Sequence, residues 1–425
     1  MVEIKSNSLV REKSASSFGS LFSGGNCSSY GPSVNSSLAY ELCQKSAVIG
    51  DVVDRIGSAH AAITPVLIEK GTNKIISDPK DHPLLELLDN PGMRQKYRRF
   101  AYESMKSFLL TGEVYPVISG NVNYEPLDLV VRPANKVQLN GMSDELHSIL
   151  MTSAGKQTQY SQRLNIKKRS LTFQAGNELS ETIQIMKEQR AEGLGGLSPL
   201  EQIYYEVITS IYGNKHNSNL LKNSTRPGGL WSPKEPMTQD GYKLFRDEIR
   251  DKFQGPGNAG KNIVAPQPVE YVNFLLKTQE MDFINMLDRF ETSIYSRYQI
   301  PLPLVKAGTM TMGNFSQAAE SFYDYAVIPR TSFIFSELGQ FLLLRYKGGD
   351  RYILGVDERS IPALKERLYK RAKLMSETYI FSDNEMRAET GREALGPEGD
   401  VVNKPATLIP SVEDDDYTED NIDRE

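Results

Sequence analysis

The segment from Ser198 to Pro303 constrains the fold of this chain more than any other. Ser198-Pro199 reads as an N-cap followed by proline at the first helical position, where the missing N–H costs nothing. Behind it, Leu200, Ile203, Tyr204, Val207, Ile208, Ile211 and Tyr212 recur at i, i+3, i+4, i+7, i+8, i+11 and i+12, the cleanest helical period in the sequence. A second long helix is expected over Gln279–Tyr298, with Phe283, Leu287, Phe290, Ile294 and Tyr298 on one side. It stops at Ile300-Pro301-Leu302-Pro303, because proline removes a donor and pushes the preceding residue out of the helical region. A compact insertion lies between the two helices. It reads as a strand over Gly229–Trp231, a helix from Thr238 through Phe253 with Tyr242, Phe245, Ile249 and Phe253 on one face, a glycine-rich turn, and a second strand over Asn262–Val264 that can extend to Phe274. The ends of the insertion are therefore tied to helices on both sides.

The rest of the chain is organised around this unit. Residues 1–40 are rich in Ser, Asn and Gly and read as a disordered arm, with order expected from about Ala47, where Val48, Val52, Ile56 and Ala59 take up helical spacing. A strand is expected over Ile63–Glu69. His82-Pro83 then opens a short helix carrying Leu84, Leu85, Leu87 and Leu88, closed by Asn90-Pro91-Gly92. Tyr97–Leu110 reads as a helix, and Val114–Ile118 and Leu127–Arg132 as strands, giving a small mixed α+β unit. Residues 140–195 are polar and fit no period. Gly193–Gly196 reads as a hinge rather than a phosphate cradle. Val305–Asn314 is expected to be a loop, Ser316 to about Tyr346 a third long helix kinked at Pro329, and Ala363–Ser376 a final helix.

Charge distribution matters more than its total. The chain of 425 residues has 49 Lys+Arg and 54 Asp+Glu, a net charge of −5. The last thirteen residues hold eight carboxylates and only Arg424, so this tail carries −7 and the first 412 residues +2. An acidic total thus leaves room for a nucleic-acid partner. The longest apolar stretch, Phe333–Leu344, is interrupted by Glu337 and falls short of the roughly 18 residues a membrane span needs. Met1–Lys13 has no apolar core of the secretory kind. Two cysteines, Cys27 and Cys43, cannot make a disulfide framework, and a reducing compartment is expected. The histidines His60, His82, His147 and His216 are isolated, without a second metal ligand at suitable spacing, so neither a metal nor a cofactor is expected.

Catalytic motifs are weak. Gly255-Pro256-Gly257-Asn258-Ala259-Gly260-Lys261-Asn262 matches the phosphate-binding loop G-x-x-x-x-G-K-[ST] except at its last place, where Asn262 replaces the magnesium-binding hydroxyl. Its context is reversed, since a helix enters and a strand leaves, so a plain turn is the preferred reading and an NTPase using Lys261 the alternative. Basic clusters at Arg94, Lys96, Arg98 and Arg99, at Lys167, Lys168 and Arg169, and at 365–373 read first as solvated surface, with a non-viral helical nucleic-acid-binding protein as the further alternative.

The order of features resembles the portal proteins of tailed bacteriophages, of the short type found in long-tailed phages. The resemblance is carried by Gly195-Gly196-Leu197-Ser198-Pro199-Leu200 before a long helix, and by Phe253-Gln254-Gly255 with Gly260-Lys261 in the insertion. It continues through Tyr298-Gln299-Ile300-Pro301-Leu302-Pro303-Leu304-Val305, then Asn314-Phe315, Phe322 and Ile328-Pro329. Asp383-Asn384-Glu385-Met386-Arg387 followed by Gly399-Asp400 resembles the family's N-E-x-R and G-G-D signature, and His82-Pro83-Leu84 with Leu87-Leu88 its H-P-x-x-x-L-L pattern. Two departures are Gly112-Glu113-Val114-Tyr115 for the usual G-N-A-Y, and Glu398 in place of the first glycine of G-G-D.

The resemblance implies an α+β portal fold and a subunit map: a disordered arm at 1–46, a mixed α/β wing at 47–199, and stem helices at 200–224 and 275–300 flanking a small α/β clip at 225–274. It continues with a tunnel loop at 301–315, a kinked helix and wing return at 316–359, a helical crown at 360–410, and an acidic disordered tail at 411–425. It implies a ring, usually a homododecamer, through which double-stranded DNA is packaged and ejected, without catalysis by the portal itself. Its partners would be the terminase large subunit, the head-tail adaptor and the major capsid protein, and its place the virion's portal vertex, reached from the host cytoplasm during assembly. Lys306, Thr309, Thr311 and Asn314 would line the DNA channel, Lys306 forming a collar of positive charge around the ring. Lys234, Arg246, Arg250, Lys252 and Lys261 would face the motor and later the adaptor from the clip. The tail would project into the head as a like-charged brush.

Overall fold

The computed structural model describes residues 35–402, except 73, 93–94, 121–125, 143–144, 154, 166–169, 176–179, 191–193, 223–228, 234–237, 254–268, 274–279 and 307–311. Its first element corrects the expectation of disorder up to residue 46. Helix α1 (Ser36–Lys45) is capped by Asn35, whose side chain accepts a hydrogen bond from the Leu38 amide at 2.8 Å. Only Ala39 and Leu42 are fully buried in it. So short an apolar stripe is invisible within polar sequence, and the helix is held by packing against the body.

Helix α2 (Ala47–Ala62) buries Val52 and Ile56 as its spacing predicts. Strands β1 (Pro65–Glu69) and β2 (Ile75–Ile76) follow, then helix α3 (Pro83–Asp89). The His-Pro motif has a local cause: His82 Nδ1 accepts the Leu84 amide at 3.1 Å, and Pro83 sits where no donor is needed. Helix α4 (Tyr97–Thr111) packs along α2 and leads directly into β3 (Glu113–Gly120).

The region 140–195, unreadable by period, is mostly sheet. Strands β4 (Pro126–Arg132), β5 (Val137–Met142), β6 (Glu145–Ser153), β7 (Lys156–Asn165), β8 (Ser170–Ala175), β9 (Ser180–Thr182) and β10 (Ile185–Met186) join β3 in an antiparallel sheet. From β5 to β9 neighbours pair in sequence order, and β9 and β10 return to pair with β3. Its buried face uses few residues, among them Ile149, Met151, Tyr160 and Phe173, packed with Tyr115 and Val117 into a small core of their own. With so thin an apolar face the alternation is lost among polar residues.

The long-helix unit is as the sequence dictates. After one turn, α5 (Pro199–Gln202), the chain steps at Ile203 and continues as α6 (Tyr204–Lys222). The insertion contributes strand β11 (Gly229–Pro233), helix α7 (Gln239–Phe253) and strand β12 (Val269–Asn273), the strands pairing antiparallel with Trp231 opposite Tyr271. The expected strand at Asn262–Val264 and the Gly255–Asn262 turn lie outside the described residues. On α7, Tyr242 is exposed rather than packed. Helix α8 (Glu280–Arg297) returns against α6.

The third long helix starts earlier than expected. Helix α9 (Met312–Ser321) includes Asn314, which the sequence placed in a loop. It runs into a π-helical segment, Phe322–Val327, and then α10 (Ile328–Leu343). The irregularity expected at Pro329 is thus the π-helical turn just before it. Pro329 gives no N–H to the preceding turn, and the Arg330 guanidinium donates instead to the carbonyls of Ala326 (2.6 Å) and Tyr325 (3.4 Å). Strand β13 (Tyr352–Val356) then pairs with β1, closing a three-stranded sheet of distant segments. Helices α11 (Lys365–Thr378) and α12 (Asp383–Glu389) complete the described chain.

Candidate functional site

The last turn of α4 is the root of both long helices. A helix leaves its final carbonyls without partners inside the helix, and here other elements take them. The Tyr298 hydroxyl, at the end of α8, donates to the Leu109 carbonyl at 3.1 Å. The Ser198 hydroxyl, capping α5, donates to the Leu110 carbonyl at 2.6 Å while accepting the Leu200 amide at 3.1 Å. Both residues are buried. Gly112 ends α4 with φ +76°, the left-handed region that favours glycine, and a Cβ there would lie 2.2 Å from the Leu197 carbonyl oxygen.

Beside it, Glu113 performs a role that no sequence signal announced. Its carboxylate accepts the Gly196 amide at 2.8 Å and the Gln184 side-chain amide at 3.3 Å. Burial pushes the carboxyl above its usual range, against the opposing pull of Gly196, Tyr115, Gln184 and Arg190. A Cβ on Gly196 would sit 2.7 Å from the Gly112 carbonyl oxygen, so this glycine is a close crossing of two chain segments, not the free hinge its sequence suggests.

At this same end of α8, just past Tyr298, Gln299 adopts φ +62° and Ile300 donates its amide to the Tyr295 carbonyl at 3.0 Å, turning the chain out of the helix before Pro301. A short 3₁₀ turn, Leu302–Leu304, brings Lys306 back against α8. Its ammonium donates to Asp288 Oδ1 at 2.5 Å and Thr292 Oγ1 at 2.9 Å. Asp51 of α2 braces the same end, accepting from Tyr295 at 3.0 Å and Arg55 at 2.7 Å, and Arg55 reaches the Leu304 carbonyl at 3.4 Å.

Of the residues expected to line a channel, Lys306 stands at the base of the loop, tied to α8, and Asn314 is exposed on the first turn of α9. Thr309 and Thr311 lie outside the described residues. Of the clip residues, Arg246 is exposed and pairs with Asp247 at 3.1 Å, Arg250 and Lys252 lie on α7, and Lys234 and Lys261 lie outside the described residues.

Among the described residues no cluster of three or more metal-ligating side chains occurs, and no helix is long and apolar enough to cross a membrane. His60 is a core residue: its Nδ1 meets Thr331 Oγ1 at 2.7 Å, its ring leans on Phe335, and burial lowers its pKa to about 3.

A family model described as "Phage portal protein" matches residues 48–391. The chain belongs to the phage portal protein family. An uncharacterized protein of Rickettsia bellii (strain RML369-C) is 20% identical over 366 residues, spanning 85% of this chain and 90% of that protein. Among solved structures, a chain of the virion of a native gene transfer agent particle aligns with a TM-score of 0.59 at 18% identity, covering 86% of this chain and 95% of its own length. A chain from the neck of the native particle, computed with C12 symmetry, aligns with the same score, identity and coverage. At that identity the likeness concerns the fold, an α+β portal fold.

Two of the segments that carried the resemblance, 383–387 and 399–400, meet in space. Asn384 Nδ2 donates to Asp400 Oδ1 at 2.7 Å and to the Gly396 carbonyl at 2.8 Å, and its Oδ1 accepts the Leu395 amide at 2.8 Å. A Cβ on Gly399 would lie 2.3 Å from Asn384 Oδ1, so any side chain there would push Asn384 out of these bonds. The N-E-x-R and G-D signatures are therefore two halves of one joint.

Proposed function

We propose that this chain forms the portal vertex of a virus-like particle: a ring of identical subunits that conducts double-stranded DNA into and out of a capsid. Family membership is the observation that carries the reading. The shape of the subunit supports it, because α6 and α8 are anchored together at one end by α4 and carry a small folded insertion at the other. A pair of stiff helices with a distal module suits a channel wall ending in a docking platform. Large exposed side chains, Tyr205 on α6, Tyr242 and Leu244 on α7, Phe315 on α9 and Tyr325 in the π-helical segment, are what a subunit that packs against copies of itself presents. The C12 symmetry of the gene transfer agent neck favours twelve subunits.

In this reading 47–199 with 316–359 is the wing, 200–224 and 275–300 the stem, 225–274 the clip, 301–315 the tunnel loop and 360–410 the crown. Lys306, Thr309, Thr311 and Asn314 meet passing DNA, and Lys234, Arg246, Arg250, Lys252 and Lys261 meet first the terminase large subunit and then the head-tail adaptor, while the wing contacts the major capsid protein. The protein assembles in the host cytoplasm and ends in the virion. A body of nearly neutral charge suits a conduit, since each neutralised phosphate would add affinity and hence friction. The reaction that drives DNA belongs to a separate motor.

Particle-mass measurement and negative-stain imaging of the purified chain test the proposal. Closed rings of roughly twelve times the 47.7 kDa subunit mass are expected. A persistent monomer at high concentration would overturn it. Saturable ATP binding that is lost in Lys261→Ala would instead favour the NTPase reading.

A further inference from the structure

Two arginines at the end of α8 stand without a carboxylate. Other cations around that end are matched: Lys306 by Asp288, Arg55 by Asp51, and Arg367, which reaches the π-helical segment from α11, by Asp324 at 2.6 Å. Arg330 is different. Its Nη1 donates only to neutral oxygens, the carbonyls of Ala326 and Tyr325 and, at 3.3 Å, the side chain of Gln299. Arg297, the last residue of α8, is exposed and lies two positions before Gln299. Among the described residues neither arginine has an ion pair.

The two charges share one neighbourhood. Burial raises the pKa of the Tyr298 hydroxyl, and Arg330 and Arg297 both pull it back. Burial likewise holds half-buried Arg330 below the ordinary guanidinium value; Tyr298 opposes that shift, and the charge of Arg297 adds to it. Like charges are thus held together at a cost. The fold keeps Arg330 there because Pro329 and the π-helical turn leave carbonyls that its Nη1 satisfies. Its Nε and Nη2 have no protein partner among the described residues. A side chain anchored by one nitrogen has lost much of its rotamer freedom before any ligand arrives, so the remaining donors are pre-organised.

Such a pair calls for an oxyanion. The guanidinium fork matches phosphate oxygens, and the bonds it makes to them are charge-assisted. A tetrahedral phosphate presents oxygens on several sides and can meet both cations at once. We propose that Arg297 and Arg330 form a phosphate-binding site at the root of the 301–311 segment, filled in the assembled ring by the backbone of double-stranded DNA. The source of the phosphate rests on the portal reading, whereas the site itself rests on the two unmatched arginines. Lys306, tied to Asp288, then braces the loop while the arginines supply the hold. Two cations per subunit at one level hold the duplex without adding affinity along the whole channel.

Fluorescence anisotropy of a short labelled DNA duplex with the full-length protein, over a range of salt, tests the site, with ring formation followed by particle mass. Arg297→Ala removes an exposed side chain that has no ion pair, and Arg330→Lys keeps a donor for the Ala326 carbonyl while losing the fork. Each is expected to weaken duplex binding by about tenfold or more and to lower the dependence of log affinity on log salt by about one. Wild-type affinity and salt slope in both variants overturn a DNA site.

Inorganic phosphate, compared with chloride at equal ionic strength, separates the sources. It is expected to raise the Tm of the wild type and to leave that of Arg297→Ala unchanged. If phosphate does so while duplex binding ignores both arginines, the site holds a free phosphate ion and the DNA assignment falls. If neither probe senses the arginines, the site is refuted, and rings that still form leave the portal reading intact. Rings that form in the wild type and are lost in Arg297→Ala would show the arginine facing a carboxylate of a second copy, which also overturns the proposal. Absence of rings in the wild type overturns the portal reading instead, and phosphate still reads the site on the subunit.

Discussion

Glu113 and Gly196 lie 83 positions apart and are joined by a 2.8 Å hydrogen bond from the glycine amide to the buried carboxylate. The bond fixes the entry to the first long helix against the strand that follows α4. Glu113→Ala leaves the Gly196 amide and Gln184 without that acceptor and is expected to lower stability by about 1–3 kcal/mol, the usual penalty for a buried group left unpaired. Thermal or urea unfolding measures it, and Glu113→Gln, which keeps an acceptor, should lose less.

The same residue predicts a pH dependence. Burial raises the folded carboxyl above its unfolded value, so the folded state holds the proton more tightly. The contribution of Glu113 to stability is therefore greatest below the ordinary carboxyl range and is lost as pH rises through the raised value. In urea unfolding followed across that window, Glu113→Gln should show a flatter profile than the wild type; identical profiles would refute the assignment.

His60 acts in the opposite sense. It titrates near 6.5 when unfolded and at about 3 when folded, so the unfolded chain binds the proton first. Stability from neutral His60 is present above pH 6.5 and declines as pH falls toward 3. A variant such as His60→Gln is expected to be less stable at neutral pH, yet to lose less on acidification than the wild type does.

Gly112→Ala should be among the most damaging single-methyl changes in the chain. It combines a left-handed φ of +76° with a Cβ 2.2 Å from a backbone oxygen. The strain alone is worth about 1 kcal/mol or more, and backbone cannot step aside as a side chain can. A loss of several degrees in Tm, or failure to fold, is expected; an unchanged Tm would show that the α4–α5 crossing is looser than described.

Lys306→Asp separates folding from conduction. The pair with Asp288 is partly exposed, so its loss should change stability by less than about 1 kcal/mol. Ring assembly should persist while DNA packaging or retention changes. Adding Asp288→Lys restores the pair with reversed charges: recovery of packaging would trace the defect to loop anchoring, and persistent failure to the charge itself. Wild-type packaging in Lys306→Asp would rule out a channel role for the loop.

Strong local signals were legible. The capped, periodic helix behind Ser198, the proline stop after Tyr298 and the His82-Pro83 helix start each rest on contacts within a few residues, and each is where the sequence puts it. Helix α1 and the 140–195 sheet were not, because their burial comes from partners far along the chain and leaves only a thin apolar stripe. Around the expected tunnel loop, the tie of Lys306 to Asp288 depends on the turn at Gln299–Leu304, and Asn314 belongs to a helix, so local spacing shows neither. In the sequence Glu113 stands out only as a departure from the G-N-A-Y pattern, and its bond to Gly196 exists only in the fold.

The sequence by itself determined the order of the long helices and the charge asymmetry of the tail, since these reside in local spacing and composition, and its motifs carried the resemblance to portal proteins. Tertiary structure decided what joins them. The roots of both long helices on the last turn of α4, the Glu113–Gly196 crossing and the Asn384–Asp400 joint pair residues too distant in sequence for any local period to encode. Burial, which sets the energy of each, exists only once those segments have met.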